Sequence, residues 1–278
     1  MMTERYYETG GLVFCLRSPD FADLAHLAAF RCAPCGADDV CTVETAETVP
    51  MPDGEKLWGD SYTDYLRTAD GIVRVVTDER GGGLLMTDTP TADGHRILLR
   101  EKWAGSLHAA FALRMMDIPH RVLRFGGIFL HASFIDVGGE AVLFTAHKQV
   151  GKSTQARLWQ TLRGAETVNG DRALLRRING RICACGSPYC GTSDICGNRI
   201  LPLKAVVVLS QAPENRAEKA GPRQAFRALM SGCSFNTWDP GQVNAATAIC
   251  GGIVTEVPFY TLACRPDEGA VEALEKLL

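Results

Sequence analysis

The pattern of apolar and polar positions divides the chain into two textures. Up to about residue 100, short apolar runs alternate with turn signals. Examples are Gly11-Leu12-Val13-Phe14-Cys15-Leu16, Gly71-Ile72-Val73-Arg74-Val75-Val76, Gly83-Leu84-Leu85-Met86 and Arg96-Ile97-Leu98-Leu99. Runs rich in aliphatic residues and bounded by Gly, Asp or Pro predict strands. Gly81-Gly82-Gly83 and Ala92-Asp93-Gly94 predict hairpin turns between them. A short helix is predicted over 24–30. Trp103, Leu107, Ala110, Phe111 and Met115 then recur at three- and four-residue steps, which predicts one amphipathic helix over 103–116. It ends ahead of Pro119, because proline disfavours helical backbone in the residue before it. A second short helix is predicted over 120–125.

Beyond residue 127 strands and helices interleave. Residues 128–137 predict a strand, Gly138-Gly139 a tight turn, and Glu140-Ala141-Val142-Leu143-Phe144-Thr145 a second strand antiparallel to the first. Residues 151–162 predict a helix whose apolar side carries Ala156, Leu158, Trp159 and Leu162. A short strand at 166–168 leads into Asn169-Gly170-Asp171-Arg172. Asn179-Gly180 joins a hairpin of 174–178 and 181–185. The apolar run 203–209 predicts a buried strand. Helices follow at 223–230 and 243–249, a strand at 259–264 and a helix at 268–278. The expected organisation is a β-rich region over 1–102, a helical connector over 103–126 and an α/β (or α+β) domain with a mixed sheet over 127–278.

Composition narrows the classes of function. A chain of 278 residues that is 46% hydrophobic can bury a sizeable core. Its net charge of −3 offers no global attraction to nucleic acid. No apolar run is long enough to cross a bilayer, and the polar start of the chain lacks the basic head and apolar stretch of a leader peptide. The expected setting is cytoplasmic, with no membrane partner. There are 11 cysteines, scattered and odd in number, as fits buried reduced thiols. Cys32-Ala-Pro-Cys35 has metal half-site spacing, and Cys183, Cys185, Cys190 and Cys196 form a second group. No clean second half-site pairs with the first, so structural thiols are expected.

The strongest chemical signal is Gly151-Lys152-Ser153-Thr154. A P-loop is a buried strand, a tight loop with inward backbone N–H groups, and a helix whose N-terminus receives phosphate. Here residues 141–145 supply the strand. Ala146, His147, Lys148, Gln149 and Val150 supply the loop, and Gly151, Lys152, Ser153 and Thr154 open the helix. Lys152 is the candidate phosphate lysine and Ser153 the candidate Mg²⁺ hydroxyl. The first glycine of the full pattern falls on Ala146. The alternative is a chance Gly-Lys-Ser at a helix start. Asp171, after the next short strand, is the candidate acidic partner for Mg²⁺. Alternatively, Asn169-Gly170-Asp171 is only a turn.

With these residues in view, the sequence resembles the HPr kinase and PEP carboxykinase-like group of P-loop proteins, particularly the HPr-kinase-like proteins found beside peptide-modification enzymes. Three stretches carry the likeness. The first is Leu130-His131-Ala132-Ser133 before the hairpin Phe134-Ile135-Asp136-Val137-Gly138-Gly139-Glu140. The second is Gly151-Lys152-Ser153-Thr154 followed by Val168-Asn169-Gly170-Asp171. The third is Gly186-Ser187-Pro188-Tyr189-Cys190-Gly191-Thr192 before the strand from Pro202 to Leu209. The likeness covers 125–278, and nothing in the first region takes part.

The resemblance implies transfer of the γ-phosphate of ATP, or another nucleoside triphosphate, with Mg²⁺, to a serine hydroxyl of a small protein or peptide. It implies Asp171, Lys152 and His131 as catalytic residues, and self-association into a homo-oligomer. HPr kinases carry two adjacent carboxylates where this chain has Gly170-Asp171. His131 is read equally well as a strand-end cap. Arg172 and Arg199 are weaker phosphate contacts, and Thr192 and Ser193 either line an acceptor pocket or cap turns. Trp159 reads as core. Two other readings stand beside the kinase. One is a catalytically weak nucleotide-binding accessory or recognition protein. The other, a PEP carboxykinase-type enzyme, lacks a clear set of extra metal ligands and substrate arginines.

Overall fold

The computed structural model describes residues 2–19, 25–79, 83–106 and 109–278. The chain divides into two compact units, Met1–Asp117 and Ile118–Leu278. The division falls within the stretch that the sequence marks as a connector. Both units are built on large mixed sheets, so the protein is mixed α/β.

In the first unit the strands are β1 (Met2–Thr9), β2 (Leu12–Pro19), β3 (Asp39–Ala46), β4 (Glu55–Gly59), β5 (Thr63–Thr68), β6 (Gly71–Thr77), β7 (Leu84–Pro90) and β8 (Gly94–Arg100), with a single helical turn, α1 (Ala25–Ala28), after β2. They form one sheet in the order β1-β2-β3-β8-β7-β6-β5-β4. Strand β3 lies parallel to both β2 and β8, and the other pairs are antiparallel. Strands β1, β3, β4 and β5 lie outside the runs that the sequence marks as strands. The helix predicted at 24–30 corresponds to α1, and residue 24 lies outside the described residues. Of the glycine turn at 81–83, only Gly83 is described.

The single helix predicted over 103–116 is two pieces. A 3₁₀ segment spans Glu101–Ser106 and α2 spans Ala109–Met116, with 107–108 outside the described residues. Asp117, at φ 51°, ends α2 in a left-handed conformation.

The second unit begins with α3 (Ile118–Arg121), whose first turn admits Pro119, and a 3₁₀ turn at Val122–Phe125. Then follow β9 (Gly127–Val137), β10 (Glu140–Thr145), α4 (Lys152–Arg163), β11 (Glu166–Asn169), β12 (Arg172–Ile178), β13 (Arg181–Cys185) and β14 (Ile200–Gln211). The chain closes with β15 (Arg216–Lys219), α5 (Pro222–Gly232), α6 (Pro240–Glu256), β16 (Phe259–Cys264) and α7 (Glu268–Glu275). Helix α6 is much longer than the predicted 243–249. Asp239 caps it by accepting from the N–H groups of Gly241 and Gln242, and Pro240 fits its first position.

Strand β10 organises this unit. Ala141, Val142, Leu143 and Phe144 are all fully buried, as expected of a strand covered on both faces. One edge pairs antiparallel with β9 through the Gly138-Gly139 turn, where both glycines have positive φ. The other edge pairs parallel with β14, which in turn pairs parallel with β16. Side chains alternate between two cores. Leu143 packs with Leu130, Phe134, Val206 and the inner faces of α5 and α6. Val142 and Phe144 pack with Trp159 of α4, Val207, Leu262 and α7. Trp159 is core, its ring 6.5 Å from that of Phe144.

Among the described residues the indole N–H of Trp159 is buried without an acceptor. Trp159→Ala is therefore expected to cost about 3–5 kcal/mol in a urea unfolding titration. Trp159→Phe should cost distinctly less, because it keeps an aromatic ring in the cavity and removes the unsatisfied donor. Equal losses for the two variants would contradict this packing.

Candidate functional site

The loop after β10 is shaped by two unusual backbone conformations. Strand β10 ends at Thr145, whose hydroxyl donates to the His131 carbonyl at 3.0 Å and ties the loop's entry to β9. Ala146 and Val150 are half-buried, while His147, Lys148 and Gln149 are exposed. Gln149 has φ 67° and Gly151 φ 126°. The second value is open almost only to glycine, which accounts for Gly151. Gly151 is the N-cap of α4, and no side chain caps the helix. The N–H groups of the first turn, at Lys152, Ser153 and Thr154, therefore have no intrahelical partner. They carry the positive end of a 12-residue helix.

Lys152 adds a full charge at the same place. Only 8% of it is exposed. Its Nζ donates to the Ala146 carbonyl at a long 3.4 Å and forms no ion pair among the described residues. Burial pushes its pKa down, and nearby Asp171 partly offsets that shift. A buried cation without a counter-ion is costly to maintain. It is a group ready to receive an anion. Ser153, next to it, is exposed, and Thr154 is half-buried.

Asp171 is held by backbone construction. Strands β11 and β12 both pair antiparallel with β9, through Thr167↔Ile135 and Arg172↔His131. The register slips by one residue between Thr167 and Asn169, and Gly170 and Asp171 then form a bend that leads into β12. The fully buried Asn169 organises the bend. Its Oδ1 accepts from the N–H groups of Asp171 and Arg172, both at 2.9 Å, and its Nδ2 donates to the Ser187 carbonyl at 2.7 Å. The Asp171 carbonyl accepts from Ala132 N–H at 2.9 Å, and Ser133 Oγ donates to the Gly170 carbonyl at 3.2 Å. The turn reading of Asn169-Gly170-Asp171 is thus correct, and this turn holds the carboxylate beside β9.

His131 and Arg172, directly paired across β9 and β12, flank that carboxylate. His131 Nε2 stands 3.8 Å from Asp171 Oδ1, and Arg172 Nε stands 3.5 Å from Oδ2. Burial and the Lys152 charge push the His131 pKa down from its ordinary value, with Asp171 opposing and Arg172 reinforcing the shift. At neutral pH His131 is an uncharged imidazole. Arg172 also donates to Ser234 Oγ at 3.0 Å and lies 6.0 Å above the Tyr189 ring. The structure thus gathers Lys152, His131, Asp171 and Arg172 into one electrostatic group.

The third sequence stretch closes around this group. A β-carbon on Gly191 would stand 2.8 Å from the Asp171 Cβ. One on Gly170 would stand 1.9 Å from Ser193 Oγ and 2.6 Å from its Cβ. Ser193 Oγ donates to the Cys190 carbonyl at 2.7 Å, so it supports the loop beside Gly170, while Thr192 is exposed. Arg199 takes no part in the group, being bound to Asp136 at 2.5 Å and Glu166 at 2.6 Å. All 11 cysteines are free thiols. Among the described residues no group of three or more His, Cys, Asp or Glu side chains could hold a metal, and no helix is long and apolar enough to cross a membrane. Sequence reasoning missed Asn169, Ser133, Thr145 and Ser187, the buried polar residues that brace the site.

No protein-family profile matches the chain, and no curated protein sequence matches it. Among solved structures it is similar to the Hpr(Ser) kinase/phosphatase from Coxiella burnetii. That match has 14% identity and a TM-score of 0.32, and covers 54% of this chain and 87% of that one.

The buried ammonium has a measurable signature. Lys152→Met is expected to raise the stability of the ligand-free protein by about 1 kcal/mol, or about 2–4 °C in Tm, since it removes an unpaired buried charge. The folded pKa lies below the ordinary 10.5. The unfolded chain therefore holds this proton more tightly, and the deficit of the wild type is full below the folded pKa. It disappears as pH rises to the unfolded value. The Tm advantage of the variant should accordingly shrink as pH is raised toward 10.5. A variant less stable than wild type at pH 7 would show that the lysine is compensated.

Proposed function

We propose that this site transfers the γ-phosphate of a Mg²⁺-bound nucleoside triphosphate to a hydroxyl group, in keeping with a serine on a small protein or peptide. One observation carries the reading. A buried, unpaired lysine at the uncapped start of a helix stands in one electrostatic group with a carboxylate and a neutral histidine. The first pair suits phosphate binding, and the second suits removal of a hydroxyl proton.

The phosphates lie against the loop from Ala146 to Thr154, with Lys152 neutralising the outer oxygens. Ser153 and Asp171 are the residues that would hold Mg²⁺. Two oxygen donors fit an ion that keeps several waters and takes the rest of its shell from phosphates. When bound, the ion spreads the charge that develops on the transferred group. The acceptor oxygen forms a bond to the γ-phosphorus while the bond to the bridging oxygen breaks, its electron pair leaving on the diphosphate. The acceptor proton passes to His131 Nε2, and Asp171 stabilises the resulting imidazolium at 3.8 Å. Arg172 stands on the far side of the carboxylate, where it can fix an acceptor group.

A second reading, of a nucleotide-binding accessory protein with little transfer activity, is favoured by the crowding at Gly170. Ser193 fills the space that a second carboxylate next to Asp171 would need.

Two measurements separate these readings. Mg²⁺-ATP at 100 times its Kd is expected to stabilise the wild type by about 2.7 kcal/mol and Lys152→Met hardly at all. With labelled γ-phosphate and serine-containing peptides, Asp171→Asn is expected to bind nucleotide normally and lose transfer. His131→Gln should lower transfer by about 10²–10⁴-fold. Because the His131 pKa is lowered, wild-type transfer should hold through neutral pH and fall only below about pH 6.5, the ordinary histidine value. That acid limb should vanish in His131→Gln. Nucleotide binding without transfer to any acceptor favours the accessory reading, and no binding at all removes both.

A further inference from the structure

A second feature of the loop's surroundings concerns the other end of the nucleotide, and it rests on the phosphate-binding reading above. A cavity of about 280 Å³ opens beside the first turn of α4. Gly151, Gln155, Gln211, Cys264, Arg265 and Pro266 are among the residues that line it. Its position follows from the sheet. Strands β10, β14 and β16 run parallel. The cavity lies beyond their carboxyl ends, between the loop after β10, Gln211 and Ala212 after β14, and Arg265 and Pro266 after β16. In open α/β sheets this is where ligands collect. A ligand with its phosphates on the first turn of α4 has this cavity immediately to hand.

The chemistry of the lining is selective. Gln155 is 2% exposed. Among the described residues its Oε1 is buried with no hydrogen-bond partner, and its Nε2 donates only to the soft acceptor Cys264 Sγ at 3.3 Å. A buried amide with one vacant acceptor and one weakly engaged donor is poorly satisfied by the protein alone. It matches a ring that presents an amino group next to a bare ring nitrogen. That is the pattern an amide side chain reads bidentately on adenine. Val150 and Pro266 supply apolar faces for a flat ring. Arg265 sits at the rim, where its guanidinium is exposed and paired with Asp267 at 3.1 Å.

We infer that this cavity seats the base of the nucleotide and that Gln155 selects adenine by hydrogen bonding its amino group and adjacent ring nitrogen. Gln155 is thus a specificity residue one helical turn from the phosphate lysine.

The test is calorimetric binding of ATP, GTP and inorganic tripolyphosphate, each with Mg²⁺, to the full chain and three variants. The wild type should bind ATP about tenfold or more tightly than GTP or tripolyphosphate, as one good bidentate contact allows. Gln155→Met keeps the length of the side chain and removes the amide. It should abolish the preference for ATP and leave tripolyphosphate binding unchanged. Ala212→Trp, which fills the cavity from its rim, should weaken both nucleotides and spare tripolyphosphate. Lys152→Met should weaken all three ligands. Wild-type ATP affinity in both Gln155→Met and Ala212→Trp overturns the base site and leaves the phosphate site standing, as does a wild type that prefers GTP. A wild type that binds neither ATP nor tripolyphosphate overturns both.

Discussion

Strand β10 has no free edge and no free face, and the second unit is arranged around that fact. It is hydrogen-bonded to β9 on one side and to β14 on the other. Its side chains enter two separate cores. A strand so enclosed can release its chain only at its end, and Thr145 marks that point by donating to the backbone of β9. The chain must then reverse over 146–151 to begin α4, which packs back through Ala156 and Trp159. The positive φ at Gln149 and Gly151 is the local cost of this reversal. Its product is an uncapped helix start with a lysine folded beneath it.

The same strand pairing brings together groups that are distant in sequence. His131 lies opposite Arg172 because β9 pairs with β12. Asp171 lies beside both because the bend between β11 and β12 keeps it against β9, where its carbonyl accepts from Ala132 N–H. Among the described residues none of these groups is neutralised by a close ion pair: the carboxylate contacts run from 3.5 to 3.8 Å. Loosely coupled charges of both signs, partly withdrawn from water, respond strongly to an added anion or cation. The proposed chemistry depends on this incomplete compensation. A tighter Lys152–Asp171 pair would make a better resting structure and a poorer receptor for phosphate.

The parts of the site that lie within one element were legible in the sequence. The run from Ala141 to Thr145, the Gly151 turn and the apolar side of α4 are local patterns, and the structure has each of them. Asp171 was legible as an acidic residue after a short strand. The brace around it was not, because Asn169 works through a carbonyl at Ser187 that only the third stretch of the unit supplies. Arg199 shows the opposite failure. An arginine near a phosphate motif invites a phosphate role, but folding places it between Asp136 and Glu166. In the first unit, β1 was hidden because its residues, from Met2 to Thr9, are mostly polar and half exposed. The cavity beside α4 could not be read either, since its walls come from three segments far apart in sequence.

The crowding of Gly170 against Ser193 restricts how this site can change. A side chain at 170 cannot be accommodated while a serine occupies 193, and removal of that serine takes away the hydroxyl that donates to the Cys190 carbonyl. Position 170 is therefore free to enlarge only after, or together with, a change at 193. A single substitution at 170 leads through a strained intermediate, whichever residue it introduces. Among relatives of this chain, a residue larger than glycine at the first position should occur together with a smaller or displaced residue at the second. The route from one carboxylate to two thus has a fixed order, 193 before 170, and that order is set by a contact that never touches the ligand.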